Sequence, residues 1–192
     1  MKEVIVLCGN AGHGKDTFAN ILHELIPNSR RDSFAAPIKV IAEMMIGIPP
    51  SLSNAPNDIR DKTIVYGRSV RSHLQRIGTE MGREMVHPDI WFHRFADRAL
   101  QAKENVTIGS DGRFRNEIVG LREYLAGKAT VRAIRIVRPS VEVKLTHPSE
   151  TEIASLPNNL FNHVVRNDST IEHLRDVAKH FIGLWAESEV IA

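Results

Sequence analysis

Gly9-Asn10-Ala11-Gly12-His13-Gly14-Lys15-Asp16-Thr17 lies between an apolar run, Val4 to Cys8, and an amphipathic segment carrying Phe18, Ile21, Leu22, Leu25 and Ile26. Strand, glycine-rich turn and helix is the context that makes G-x-x-x-x-G-K a phosphate site. The glycines let successive backbone N–H groups curl into one concavity that holds an anion. The following helix adds its first-turn N–H groups and the positive end of its dipole. A side chain at Gly9, Gly12 or Gly14 would block close approach of the backbone. Lys15 then reaches the phosphates as a point charge.

The residue after the lysine is commonly Ser or Thr, whose hydroxyl binds magnesium. Here it is Asp16, followed by Thr17. A carboxylate beside phosphates is repulsive unless a cation stands between them, so Asp16 reads as a magnesium-side residue. The competing reading is a plain strand–helix turn with Asp16 satisfying first-turn N–H groups.

A chain of 192 residues is expected to form one domain with a real core. With 25 basic and 23 acidic residues, net charge +2 gives no broad electrostatic case for a nucleic-acid polymer or an anionic membrane. One cysteine excludes an internal disulfide and fits a reducing compartment. Cys8 reads as a small buried apolar residue. The run Val4 to Cys8 is too short for a signal peptide or a span, so a cytoplasmic location is expected.

Further along, Arg31 to Phe34 reads as a short strand, and Pro37 opens a helix striped with Ile38, Ile41, Ala42 and Met45. Ser51 to Lys62 is polar and reads as a surface loop. Val70, Leu74, Ile77 and Met81 mark a long helix with Arg71 and Gln75 one turn apart on its polar side. That pair is either a solvated face or a phosphate clamp. Gly78-Thr79 interrupts the face and offers backbone to a ligand. His87-Pro88-Asp89 opens a further helix, in which Trp91 is either core or a ring stacked on a base. Val106 to Asp111 is a strand ending in an acid, where metals and ligands sit in α/β sheets. Either Asp111 caps the next helix, or it supports a metal while Arg113 takes a phosphate and Glu117 holds an arginine or an acceptor. Thr130 to Val137 and Phe161 to Arg166 are strands. Ser140 to Ser155, with Lys144 and His147, is a candidate lid next to Arg138, and Ser149 with Glu152 fits a helix capping box. The last helix shows Ile171, Leu174, Ala178, Phe181, Ile182 and Trp185 at helical spacing, a stripe that reads as core. His147 has no ligand-spaced partner, which argues against zinc.

Alternating strands and helices behind a phosphate loop predict a three-layer α/β/α fold with a mainly parallel sheet. The ordered set of Gly-x-x-Gly-x-Gly-Lys15-Asp16-Thr17, Phe34-Ala35-x-Pro37-x-Lys39, Arg71-x-x-x-Gln75-x-x-Gly78-Thr79-Glu80, Asp89-x-Trp91, Ser110-Asp111-x-Arg113-Phe114-x-Asn116-Glu117 and His147-x-Ser149-Glu150 resembles bacteriophage deoxynucleoside monophosphate kinases, from the N-terminus to about Asp168. The resemblance implies a P-loop kinase core at about 1–36, 104–138 and 160–186, a helical acceptor-binding insert at about 37–103 and a small lid at about 139–156. It implies transfer of the ATP γ-phosphoryl group to a deoxynucleoside monophosphate. Gly9, Asn10, Ala11, Gly12, His13, Gly14, Lys15, Asp16 and Thr17 would hold ATP phosphates, with Mg2+ near Asp16 and Asp111. Lys15, Arg71, Arg113 and Asp111 would be the catalytic set. Arg71, Gln75, Gly78, Thr79, Trp91, Asp111, Arg113 and Glu117 would surround the acceptor, and Arg138 would be the lid cation. Periodicity alone does not separate a homodimer patch from core. The rivals are a P-loop kinase of another small phosphorylated acceptor and a nucleotide-binding switch.

Overall fold

The computed structural model describes residues 2–142 and 148–190; the lid residues Lys144 and His147 lie outside them. The chain divides into two units, Met1–Ser33 with Ala96–Ala192, and Phe34–Phe95.

The first unit holds a five-stranded parallel sheet. Its strands are β1 (Lys2–Cys8), β2 (Ser29–Asp32), β5 (Val106–Gly112), β6 (Ala129–Val137) and β7 (His163–Arg166), ordered β2-β5-β1-β6-β7. β1 is central, and Val4, Ile5, Val6 and Leu7 are all at most 1% exposed, as a strand covered on both faces requires. Ile5, Leu7, Ile108, Ile134 and Ile136 share one core with Phe18 and Leu22 of α1 (Lys15–Leu25) and with Leu174, Ala178, Phe181 and Trp185 of α9 (Ile171–Val190). α7 (Val119–Tyr124) packs on β6, and Tyr124 Oη donates to Asp97 at 3.3 Å in the last turns of α6 (Ile90–Gln101). The sheet is thus flanked by helices in a three-layer α/β/α arrangement, as the alternation predicts. The second strand lies earlier than the pattern placed it. α8 (Pro148–Ser155) follows β6, and Arg135 of β6 donates to the Ile153, Ala154 and Leu156 carbonyls at its C-terminal end.

The register of β1 against β5 slips at its C-terminal end. Val6 pairs with Gly109, yet Cys8 pairs with Gly112, so β5 carries an extra residue at Ser110-Asp111. Such a bulge re-aims side chains at a strand end. Gly112 makes it possible, because a Cβ there would stand 2.7 Å from Val6 Cγ1 and 2.8 Å from Cys8 Sγ.

The second unit comprises α2 (Ala36–Ile46), α3 (Pro50–Ser53), α4 (Asn57–Lys62), a hairpin of β3 (Ile64–Val65) and β4 (Arg68–Ser69), α5 (Val70–Arg76), a π-helix (Ile77–Val86) and the start of α6. Ala42, Ile48, Val70, Leu74 and Ile77 form its core, with Ile38, Ile41 and Met81 against it. Two expectations fail here. Ser51 to Lys62 is not a loop but two short helices, too brief to show helical periodicity. Met45 is 64% exposed, because the α2 stripe turns on Ile38, Ile41 and Ala42 instead. Among the described residues, no helix is long and apolar enough to cross a membrane.

Candidate phosphate-loop site

The loop between β1 and α1 is held from three directions. Gly9 has φ +144°, and a Cβ on it would stand 2.4 Å from the Ile136 carbonyl of β6, so only glycine fits. His13 is buried, with Nδ1 3.2 Å from that same Ile136 oxygen. Asn167, just after β7, donates its amide to the His13 carbonyl at 3.0 Å. Gly14 (φ +93°) begins α1, and a Cβ there would lie 2.3 Å from the Asn167 amide nitrogen. Lys15 is 7% exposed, and its Nζ donates to the Asn10 carbonyl at 2.8 Å, folded back into its own loop.

Asp16, in the first turn of α1, turns its carboxylate towards β2 and β5. Its Oδ1 accepts from Ser110 Oγ at 2.7 Å and from Arg31 Nη2 at 2.8 Å. Asp16, Thr17, Ser110 and Asp111 offer carboxylate and hydroxyl oxygens, a donor set that suits Mg2+. The Asp16 side chain is 78% exposed, so its carboxylate has room for a cation's water shell. Asp111 and Arg113 are half-buried at and just beyond the end of β5. Cys8, wholly buried behind the loop, has its thiol pushed far above its ordinary range, first by burial and next by the Glu117 charge. It is the inert packing residue its position suggests.

Several assignments change. Glu117 is 2% exposed, and its Oε2 accepts the Arg113 and Phe114 backbone N–H groups at 2.7 and 3.1 Å. It shapes the turn that carries Arg113. Glu152 Oε1 accepts the Arg115 N–H at 2.7 Å; the side chain of Ser149, its expected capping-box partner, lies outside the described residues. In the Phe34–Phe95 unit, Trp91 is 4% exposed and its Nε1 donates to the Gly78 carbonyl at 2.7 Å. Its ring covers Gly82, where a Cβ would lie 2.1 Å from Cζ2. Trp91 is therefore a packing residue, not an open stacking face. Gly78 is buried, and a Cβ added there would stand 3.1 Å from Ile38 Cδ1, a tight contact within the core of this unit. Arg71 pairs with Asp61 at 3.2 Å, with Gln75 and Thr79 half-buried further along the same helical stretch. Arg138 is exposed at the end of β6.

The sequence reading missed Arg31, Ser110, Gly82 and Gly112. It also missed Asp32, whose buried carboxylate is gripped by both Nε and Nη2 of Arg98 at 3.0 Å. The spacing of Gly78 and Gly82, four apart, was the available sign of close approach on one helix face. The Asp32–Arg98 pair, 66 residues apart, left no local sign. His87, Asp89 and His93 place metal-type donor atoms within 4.8 Å of one another, but His87 Nδ1 accepts the Asp89 N–H at 3.1 Å, as in a helix-opening turn.

No family model matches the chain. A deoxynucleoside-5′-monophosphate kinase of Escherichia phage T5 is 25% identical, over 80% of this chain and 86% of that protein. A protein of Acanthamoeba polyphaga mimivirus named as a deoxynucleotide monophosphate kinase is 29% identical, over 88% and 90%. Among solved structures, a gluconokinase from Sinorhizobium meliloti matches with TM-score 0.55 and 17% identity, covering 98% of this chain and 96% of that one. A dephospho-CoA kinase from Campylobacter jejuni matches with TM-score 0.51 and 17% identity, covering 98% and 100%. The chain has the P-loop kinase fold, and its curated homologues carry the name of deoxynucleotide monophosphate kinases.

Proposed function

We propose that this protein transfers the ATP γ-phosphoryl group to a deoxynucleoside monophosphate, giving the diphosphate and ADP. The observation that carries the reading is the glycine loop with Lys15 at the head of the central strand, in a chain whose homologues are named for this activity. A phosphate monoester has its second pKa near ~6, so the acceptor is already anionic at neutral pH and needs no general base. Catalysis is then alignment and neutralisation of charge.

In this reading the Gly9–Thr17 backbone N–H groups cradle the ATP phosphates. Lys15 exchanges the Asn10 carbonyl for phosphate oxygens when ATP arrives, so its charge is available without a new desolvation cost. Asp16 and Asp111 would hold Mg2+, which when bound supplies charge neutralisation between the β- and γ-phosphates. Arg113, on the turn fixed by Glu117, and Arg71 would bind the acceptor phosphate bidentately. Gln75 and Thr79 would contact the acceptor sugar or base, and Arg138 would approach as the lid closes.

The test is ADP release from Mg·ATP with and without each of dAMP, dGMP, dCMP, dTMP and 5-hydroxymethyl-dCMP. Stimulation by one or more, abolished by Lys15→Ala in a folded protein, is expected. A folded protein that binds ATP but is stimulated by none of them rejects the proposal.

A further inference from the structure

We propose that Arg31 is the positioning residue for Asp16, and that it sets how strongly nucleotide binding depends on a divalent cation. The inference rests on the phosphate-loop reading of Gly9–Thr17. Arg31 stands on edge strand β2, paired in register with Ile108 of β5. Its guanidinium is fixed by three partners: Asp16 Oδ1 at 2.8 Å, Ser110 Oγ at 3.2 Å and Asn20 Oδ1. Ser110, at the β5 bulge, closes the ring by donating to the same Asp16 oxygen at 2.7 Å.

The ring's contribution to stability is small. The Arg31 and Asp16 side chains are 34% and 78% exposed, and an ion pair so wet contributes little to folding. Its consequence is local charge. The residue after the P-loop lysine is an acid here, within the proposed phosphate cradle. Alone it would repel metal-free ATP. Arg31 offsets that charge and, with Ser110, holds one carboxylate oxygen so that the other faces the solvent where the cation's water shell would be. Arg31 therefore makes the carboxylate at position 16 compatible with phosphate binding.

Charge variants test this by binding rather than turnover. Calorimetric titration with ATP in EDTA and with ATP in excess MgCl2 gives a ratio of dissociation constants that reports metal dependence. Arg31→Gln leaves Asp16 uncompensated, and the ratio should rise roughly three- to tenfold, the range for one unit charge screened by water near phosphate. Asp16→Asn should lower the ratio, and the double variant should return it towards wild type. Arg31→Lys, which keeps the charge, should stay near wild type. Circular dichroism confirms that each variant is folded. A ratio in Arg31→Gln within twofold of wild type overturns the inference, leaving Arg31 a structural clasp. So does a loss confined to the acceptor KM, which would make Arg31 an acceptor ligand. Wild type that binds no ATP in either buffer overturns the phosphate-loop reading and this inference with it.

Discussion

Trp91→Phe separates two roles that the sequence left open. The indole Nε1 donates to the Gly78 carbonyl at 2.7 Å, and the ring is 4% exposed over Gly82. Phenylalanine removes the donor, a net loss of about 1 kcal/mol for an ordinary hydrogen bond. It also removes ring volume that nothing refills, a further ~1–2 kcal/mol. The sum is about 2–3 kcal/mol. A chain of 192 residues has an unfolding entropy near ~0.4 kcal/mol/K, so the melting temperature should fall by about 5–7 °C if the chain unfolds as one. The fall should be larger if the Phe34–Phe95 unit melts by itself. Thermal unfolding followed by circular dichroism measures the shift, and steady-state kinetics well below the transition measure the acceptor KM. Packing predicts the lower melting temperature with an acceptor KM within about twofold. An unchanged melting temperature with a KM raised tenfold or more would refute the packing role and restore base stacking.

Three further outcomes follow from individual contacts. Gly9→Ala combines φ +144° with a Cβ 2.4 Å from a backbone carbonyl and should cost more than about 3 kcal/mol, whereas Gly127→Ala, at φ +73° in open space, should cost about 1–2 kcal/mol by chemical denaturation; equal costs would contradict the close approach of the loop to β6. Glu117→Ala should lose about 1–3 kcal/mol by leaving two half-buried N–H groups without their carboxylate, while Glu117→Gln keeps an acceptor oxygen and should leave the acceptor KM within about twofold; a large KM change in the Gln variant would return Glu117 to the ligand. His163 stacks on Phe181 and accepts from Trp185 Nε1, and burial, then the Arg132 and His180 charges, hold its pKa below the ordinary 6.5. The unfolded chain then binds the proton more readily, so stability should fall as pH drops through about 6.5; the urea midpoint should drop more between pH 7.5 and 5 in wild type than in His163→Gln, and equal drops would count against it.

What was legible in the sequence was whatever local pattern decides. The phosphate loop is nine consecutive residues whose glycines and lysine each have one physical use, and β1 carries the apolar run Val4 to Cys8, whereas β2, Ser-Arg-Arg-Asp, has no apolar residue to mark it. Cys8 and Trp185 were placed correctly in the core for the same reason. The α3 and α4 helices were illegible because segments of four and six residues complete too few turns to show a period. The π-helical stretch escaped because Ile77 and Met81 keep the four-residue spacing that an α-helix also shows. The surroundings of Trp91 and Glu117 were not legible for another reason. Periodicity says that a residue faces inward or outward, not what it meets, and both side chains spend their polar atoms on backbone groups. Arg31, 15 residues from Asp16 and 79 from Ser110, becomes visible only when β2 is laid beside β5.

The strand ends explain why an acid at position 16 is tolerable. Five parallel strands finish on one side of the sheet, and each contributes one fixing to the same loop or its acid. β1 runs into Gly9, β2 presents Arg31, the β5 bulge presents Ser110, β6 offers the Ile136 carbonyl, and the turn after β7 supplies Asn167. None of these is a strong interaction alone, but together they leave the loop little freedom to lose when an anion binds, which is how preorganisation raises affinity. All of them belong to the unit formed by Met1–Ser33 and Ala96–Ala192. Arg71 and Gln75 belong to Phe34–Phe95, so the donor half of the proposed reaction can be perturbed apart from them, although Arg113 of the acceptor half shares the donor loop's unit. Variants at Gly9, Arg31 or Asn167 should move ATP binding first, while variants at Arg71 or Gln75 should move the acceptor KM first. Crossed effects of equal size would mean that the two halves are not separable in this way.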